Sequence, residues 1–326
     1  VKRLLLIGAA LVLLPLFAIA CGGGDDTENA STGAVQPTAT VPAAIDLSKD
    51  DLGRSVKVPA NPQRVVAMSP TVVEMVYAVG ATPVGRPSSA NYPEAAKSVE
   101  AFGTSYQPSL EVIASMKPDL IIADAIIHQG TIEQIASLGV PVWAVKVDSF
   151  ATVVSGLEKV GALTGKLEKG QSEAKALKDK MAAVKAKLPT QQPTVLVVVA
   201  AGPGQFIASK DTSYLGNLLK ELGAKNVAGS ETDNFRFPGF ADYSLEKIVQ
   251  ADPDVIIGIS VGGPPGTPKT TELLGMTPGW SGLKAVKNGN VREVDHVIYL
   301  ESAGPRVSQI LDELPRILYP SVFASR

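Results

Sequence analysis

The sequence predicts an α/β protein: two doubly wound α/β lobes joined by one long α-helix. Three observations predict it. Short, wholly apolar, β-branched runs alternate with helical patterns, as expected of largely parallel sheets covered on both faces by helices. The halves share a gapless block. Ser109-Leu110-Glu111-Val112-Ile113, running on to Pro118-Asp119-Leu120-Ile121-Ile122, recurs as Ser244-Leu245-Glu246-Lys247-Ile248 and Pro253-Asp254-Val255-Ile256-Ile257, always 135 positions later. Between the halves lies a stretch, 151–188, rich in Ala, Lys, Glu and Leu, with Leu177, Met181, Val184 and Leu188 at helical spacing.

The chain opens with Lys2 and Arg3, then an apolar run from Leu4 to Ala20 interrupted by Pro15, then Cys21. A charged start, an apolar stretch and small residues before a cut site make a secretory signal. Ala18-Ile19-Ala20-Cys21 resembles the lipobox of bacterial lipoproteins, with Ala18 where leucine is usual. The resemblance implies that Cys21 is diacylated and holds the protein on the outer face of the cytoplasmic membrane. The apolar run is slightly short of the roughly 20 residues a membrane-spanning helix wants. Two acyl chains on one cysteine satisfy the requirement for stable anchoring. Residues 22 to about 44 are mostly Gly, Asp, Ser, Thr, Ala, Pro and Gln with few large apolar side chains. Such a stretch cannot bury enough surface to offset its ordering entropy. The expected organisation is a signal peptide over 1–20, a flexible tether over 21–50, an N-terminal lobe over 51–150, a connecting helix over 151–190 and a C-terminal lobe over 191–326.

In the first lobe the expected strands are Arg64 to Met68, Leu120 to Ala123 and Val142 to Val145. The expected helices are Thr71 to Val79, ended by Gly80, and Thr131 to Leu138. In the second lobe the strands are Thr194 to Ala200, Val255 to Ile257 and Val291 to Val294. A helix from Tyr214 to Leu222 ends at Gly223. A second echo joins the halves, since Gly80-Ala81 and Val84 stand 143 positions before Gly223-Ala224 and Val227. The connector is expected as a helix from Leu167 to Leu188, about 33 Å long, broken upstream near Gly161, Gly165 and Gly170 and stopped by Pro189 and Pro193. Such a link resists hinge closure.

Composition excludes several functions. With 30 basic and 32 acidic residues there is no electrostatic case for nucleic acid. One cysteine forbids an intrachain disulfide. Zinc wants three or four protein ligands; with two histidines a carboxylate-rich site remains arithmetically possible, but no Cys pair or HExxH supports one. Gly80 to Gly85 and Arg86 mimics a phosphate loop without its Lys-Ser/Thr. Gly161 to Gly165-Lys166 has the wrong spacing, and Gly202-Pro203-Gly204 reads as a turn at the cleft rim, not a dinucleotide fingerprint. No Gly-x-Ser-x-Gly occurs, so a serine hydrolase has no support.

Asn61-Pro62-Gln63-Arg64-Val65-Val66 leads to Ser69-Pro70 and Glu74, and Val84-Gly85 to Asn91-Tyr92-Pro93. Both Ser-Leu-Glu blocks follow, then Trp280 with Leu283-Lys284-Ala285-Val286-Lys287-Asn288-Gly289, and Gly304-Pro305-Arg306. In this order, over about residues 55 to 320, the chain resembles the iron-siderophore and cobalamin class of ABC-transporter substrate-binding proteins. The resemblance implies a monomer that captures a metal chelate in a shallow interlobe cleft, without cofactor or catalysis. It hands the ligand to a permease dimer, whose ATPase subunits are separate chains. It also implies that Glu111 and Glu246 dock on permease arginines. The competing reading is a cap, since acids early in a helix favour its dipole.

By the same resemblance, Arg86, Ser89, Tyr92 and Tyr106 line the first lobe's side of the cleft, and Phe206, Arg236, Phe240 and Tyr299 the second's. Flat or aryl chelates want aromatic faces and a few fixed polar groups. Arg306 stands at the start of a C-terminal helix, Val307 to Leu318, of which Pro305 is the expected first residue. A cation there opposes the helix dipole. Its expected use is to pair with an anionic ligand group or with a structural carboxylate. The ligand the resemblance implies is a ferric-siderophore-type chelate, with corrinoid or haem as alternatives. Ser89 and Ser105 stand where a corrinoid binder would carry aromatics. An exported lipoprotein enzyme on a related scaffold is the rival from another class, because fold does not fix function.

Overall fold

A computed structural model describes residues 45–202, 204–261, 267–301 and 304–324. The signal peptide, Cys21 and the tether as far as residue 44 lie outside the described residues. Asp50, at the end of the expected tether, is buried. Its carboxylate accepts from the amides of Leu52, Arg54 and Ala144 and from the Arg54 guanidinium, which ties residue 50 into the first lobe.

The N-terminal lobe runs β1 (Val65–Ala67), α1 (Pro70–Ala78), α2 (Leu110–Ser115), β2 (Leu120–Asp124), α3 (Ile132–Ala136) and β3 (Val142–Val145). Its three strands are parallel, in the order β1-β2-β3. Every residue of these strands is buried. Alternate side chains serve different layers: Val65, Ala67, Leu120 and Ile122 face the larger core, whereas Val66, Ile121 and Ala123 face a smaller one under α2 and α3.

Two helices follow, α4 (Phe150–Leu163) and α5 (Leu167–Lys185). Ser149 and Thr152 close a capping box on α4. The turn between the helices passes through Gly165 at φ +68, where L side chains are strained. Gly161 and Gly170 let the helices touch: a Cβ on Gly170 would sit 2.5 Å from the Leu157 carbonyl. The connector is therefore a helical hairpin whose longer arm spans about 28 Å. Lys178 pairs with Glu158 on α4 at 2.9 Å.

The C-terminal lobe contains β4 (Thr194–Gly202), β5 (Gln205–Ser209), α6 (Tyr214–Glu221), β6 (Lys225–Asn226), β7 (Phe240–Asp242), α7 (Leu245–Ala251), β8 (Val255–Ile259), α8 (Thr270–Gly275), α9 (Lys284–Lys287), β9 (Val291–Val294) and α10 (Val307–Leu318). Its sheet is ordered β7-β5-β4-β8-β9, with β6 beside the start of β4. β6, β8 and β9 run parallel in this sheet with β4, whereas β5 returns antiparallel to both β4 and β7. β4 ends at Gly202, which pairs with Gln205 of β5, and this lobe is mixed rather than wholly parallel. Lys180 of α5 pairs with Asp312 of α10 at 2.6 Å, and Lys185 pairs with Glu221 of α6. One hydrophobic cluster runs from α1 through α4 and α5 to α6 and α10. The connector is thus built into a core that both lobes share.

The repeat is physical. β2 and β8 begin and end 135 positions apart. Lys117 and Asp252, also 135 apart, are the two non-glycine residues with positive φ among the described residues. The Asp119 carboxylate accepts from the amides of Gln63 and Arg64 ahead of β1. The Asp254 carboxylate accepts from the amide and hydroxyl of Thr194 at the start of β4. Gly80 and Gly223 both take positive φ to end α1 and α6. Beyond them Val84 donates to the Val65 carbonyl and Val227 to the Val195 carbonyl.

Candidate functional site

α2 precedes β2 and α7 precedes β8, and a helix that returns to feed a parallel strand starts level with that strand's C-terminal end. Open α/β sheets bind ligands at that edge. α2 and α7 begin there, capped by Ser109 and Ser244, whose hydroxyls accept from the amides of Val112 and Lys247 at 3.3 Å. Glu111 and Glu246 stand two residues past these caps and are exposed. A capping box needs its acid one position further on, where Val112 and Lys247 stand. The Ser109 amide is already donated to the Phe102 carbonyl. Among the described residues neither Glu111 nor Glu246 has an ion-pair or hydrogen-bond partner for its carboxylate. Two spare carboxylates thus stand at equivalent backbone positions, one on each lobe.

The lobes meet over a buried polar cluster. Glu74 of α1 receives both arms of the Arg306 guanidinium, Nε at 2.9 Å, across 232 positions of sequence. The Arg306 guanidinium also lies 4.5 Å from the centre of the half-exposed Tyr92 ring. Nearby on the second lobe, Asn217 accepts from the Phe150 amide at 3.1 Å. The Tyr214 hydroxyl is buried with no hydrogen-bond partner among the described residues. Burial, and then the Glu74 charge, push its pKa far up. The Tyr299 hydroxyl donates to Glu313 at 2.8 Å; burial is the main cause of its strongly raised pKa.

Four of the expected ligand contacts are buried or engaged within the protein itself. Arg86 is buried and its guanidinium donates to the carbonyls of Pro87, Ser88, Lys97 and Val99, so it shapes its own loop. Phe206 is one residue out of phase: Ile207 faces the shared core, so Phe206 faces the opposite layer with Tyr243 and Ile248. Tyr299 is fully buried. Arg306 pairs with the structural carboxylate, and as the N-cap it lies outside α10, with Pro305 preceding it. Ser89, Tyr92 and Arg236 are exposed, and Phe240 is half-buried against the shared core. Tyr106 is exposed over a cavity of about 140 Å³ lined by residues that include Leu110 of α2 and Gln134 and Ile135 of α3. That places it beside the helix of Glu111.

The segment 234–240 folds back on itself, Asn234 donating to the Phe240 carbonyl and to Asp242. Gly239 lies against Ser213, the cap of α6. This turn presents Phe235 and Phe237 to solvent, with Arg236 stacked 5.2 Å from the Phe235 ring centre. The sequence reading passed over Phe235; its signal was an arginine between two phenylalanines in a Gly/Pro turn.

His128 is buried, with Nδ1 3.1 Å from the Asp124 amide and Nε2 3.0 Å from the Ser105 carbonyl. A proton on Nε2 satisfies the Ser105 carbonyl, while Nδ1 lies equally close to the Asp124 amide and to the Asp124 carbonyl. Burial lowers the His128 pKa, against an opposing pull from the Asp124 carboxylate, which is itself engaged by the amides of Ile126 and Ile127. The sign follows from linkage: the unfolded chain takes up the proton first. Stability contributed by this group is full above the unfolded value of about 6.5 and is lost as pH falls toward the folded one. Unfolding free energies of wild type and His128→Gln measured against pH should converge below that value; a gap constant with pH would contradict the assignment.

Among the described residues no cluster of three or more His, Cys, Asp or Glu could hold a metal ion, and no helix is long and apolar enough to cross a membrane. A profile of the periplasmic binding protein family matches residues 65–297. The chain belongs to that family. Among its periplasmic binding protein relatives, the ABC transporter substrate-binding lipoprotein YvrC of Bacillus subtilis is 28% identical over 97% of this chain and 98% of its own. The Fe(3+)-citrate-binding protein YfmC of the same organism is 28% identical over 94% of each chain. The structure of the siderophore-binding protein BauB, bound to ferric iron and two molecules of acinetobactin, superposes with a TM-score of 0.71 at 20% identity, over 83% of this chain and 97% of that one. At that identity the likeness is one of fold.

Proposed function

We propose that this periplasmic binding protein is the extracytoplasmic substrate-binding lipoprotein of an ABC importer, and that it captures a ferric-siderophore-type chelate. The observation that carries the reading is the pair Glu111 and Glu246: exposed, unpartnered and equivalent by the internal repeat. Their helix-dipole contribution to the fold is small, whereas a permease dimer with a cationic group on each half would use both. The chelate class rests on relatives that bind ferric citrate and siderophores and on the exposed aromatic and hydroxyl side chains near the lobe boundary. A binding protein needs no catalytic group, and none is assigned. Incubating the protein with a ferric siderophore, haem or cobalamin, desalting it and recording the absorption spectrum tests the ligand. A retained iron-chelate band supports the reading, and retention of cobalamin or haem alone overturns it.

The anchor is proposed at Cys21. Cys21→Ser should move the protein from the membrane fraction to the soluble fraction with ligand binding intact; a variant held as firmly as wild type would contradict it.

A further inference from the structure

Aliphatic side chains exposed singly on a surface need no explanation. Ile126 and Val261 are not single. They stand 135 positions apart, so the internal repeat makes them counterparts. Each lies two residues past the C-terminal end of its strand, β2 ending at Asp124 and β8 at Ile259. Each also follows its lobe's spare carboxylate, Glu111 or Glu246, by 15 positions. The two are 53% and 49% exposed, and among the described residues neither packs against a hydrophobic cluster. Duplication alone does not keep a side chain in solvent. Phe237 is half-exposed, whereas its counterpart Phe102 is buried, and the exposed Tyr106 has the buried Ala241 as its counterpart.

Both side chains are held from behind. The amides of Ile126 and Ile127 donate to the Asp124 carboxylate at 2.9 and 3.2 Å. His128, buried under this turn, reaches the Ser105 carbonyl through Nε2 at 3.0 Å, which ties the turn to the loop leading into α2. Ahead of Val261, the Ser260 hydroxyl accepts from the Thr270 amide at 2.7 Å and donates to Glu293, and the Thr270 hydroxyl donates to the Ile259 carbonyl at 2.8 Å. Contacts fixed in advance lose little freedom on binding. We infer that Ile126 and Val261 are apolar docking contacts for the permease dimer. Each lobe then presents a carboxylate and an aliphatic side chain on one sheet edge, and each half of the permease answers with a cation and an apolar side chain. A small chelate places no demand for like residues on both lobes, whereas a dimer brings the same surface to each. Apolar contacts that exclude water around a few strong charged contacts are the usual anatomy of an interface.

The inference rests on the proposed importer function, and the test separates the two. Ile126→Ser with Val261→Ser is compared with wild type and with Glu111→Ala/Glu246→Ala. Co-sedimentation with proteoliposomes holding the importer's permease and ATPase subunits measures docking. Intrinsic fluorescence measures affinity for ferrichrome, ferric citrate, haem and cobalamin. The serine variant should melt within about 2 °C of wild type, as exposed substitutions do. It should bind the same chelate with less than about threefold change and dock at least about tenfold more weakly. Ile126→Leu with Val261→Ile should dock as wild type does. A serine variant that docks like wild type would overturn the inference. So would one that loses chelate affinity, which would put the pair in the ligand site, or one that melts far lower, which would put it in the fold. Normal docking of the serine variant beside failed docking of the glutamate variant would leave the importer function standing. Wild-type protein that does not dock would overturn both.

Discussion

Glu74→Ala or Arg306→Ala alone should destabilise the protein by about 3–5 kcal/mol, because each breaks a buried ion pair by removing one of its two charges. The pair is almost wholly enclosed, with side-chain exposures of 10% for Arg306 and 3% for Glu74. It is also bidentate, the geometry in which an arginine–carboxylate pair is strongest. At about 2–4 °C per kcal/mol for a domain of this size class, the melting temperature should fall by roughly 10 °C. Replacing both residues with methionine should recover much of the loss, since a buried ion pair often does no better than well-packed apolar groups. Denaturant unfolding of the two single variants and the double variant checks this. A single variant within about 0.5 kcal/mol of wild type would mean the pair is not buried in solution. Because the pair joins α1 of one lobe to the start of α10 in the other, the single variants should also loosen the angle between lobes.

Glu111→Ala and Glu246→Ala should behave in the opposite way. Neither carboxylate is bonded to its own helix, and the serine caps that satisfy α2 and α7 remain. Loss of each favourable helix-dipole contact is worth about 0.3–1 kcal/mol, so the double variant should melt near the wild-type temperature and bind ligand normally. Its affinity for the permease should collapse. Truncating one partner of a desolvated interfacial charge pair typically costs about 2–5 kcal/mol, and two are lost here. Each single variant should retain measurable docking, and the internal repeat predicts comparable losses from the two. Co-sedimentation with permease-containing proteoliposomes measures all three. Equal retention of wild type and double variant would remove the assigned role from both residues.

The repeat was legible because it is local. Ser-Leu-Glu, Pro-Asp and the following apolar strand lie within about 15 consecutive residues, and backbone chemistry fixes their arrangement: serine caps, a left-handed residue before proline, a carboxylate tying the next strand. The cleft was far less legible. Arg306 finds its partner 232 positions away, and nothing near either residue announces the pairing. Arg86 looked like a ligand contact because an arginine in a loop can turn outward; its own loop curls round it instead. Phe206 could not be placed from the sequence because β5 carries apolar residues on both faces, so alternation does not show which face meets the other lobe. The break at Gly161 and Gly165 was visible, but the close approach of Gly161 to Gly170 that makes the connector a hairpin depends on helices meeting in space.

The most direct test of the importer assignment is uptake of the iron chelate by cells whose own copy is replaced with Glu111→Ala/Glu246→Ala. The account predicts a variant that is anchored, folded and loaded with ligand at wild-type affinity while transport falls to the level of cells lacking the protein. Transport at the wild-type rate, with both carboxylates gone, would contradict it.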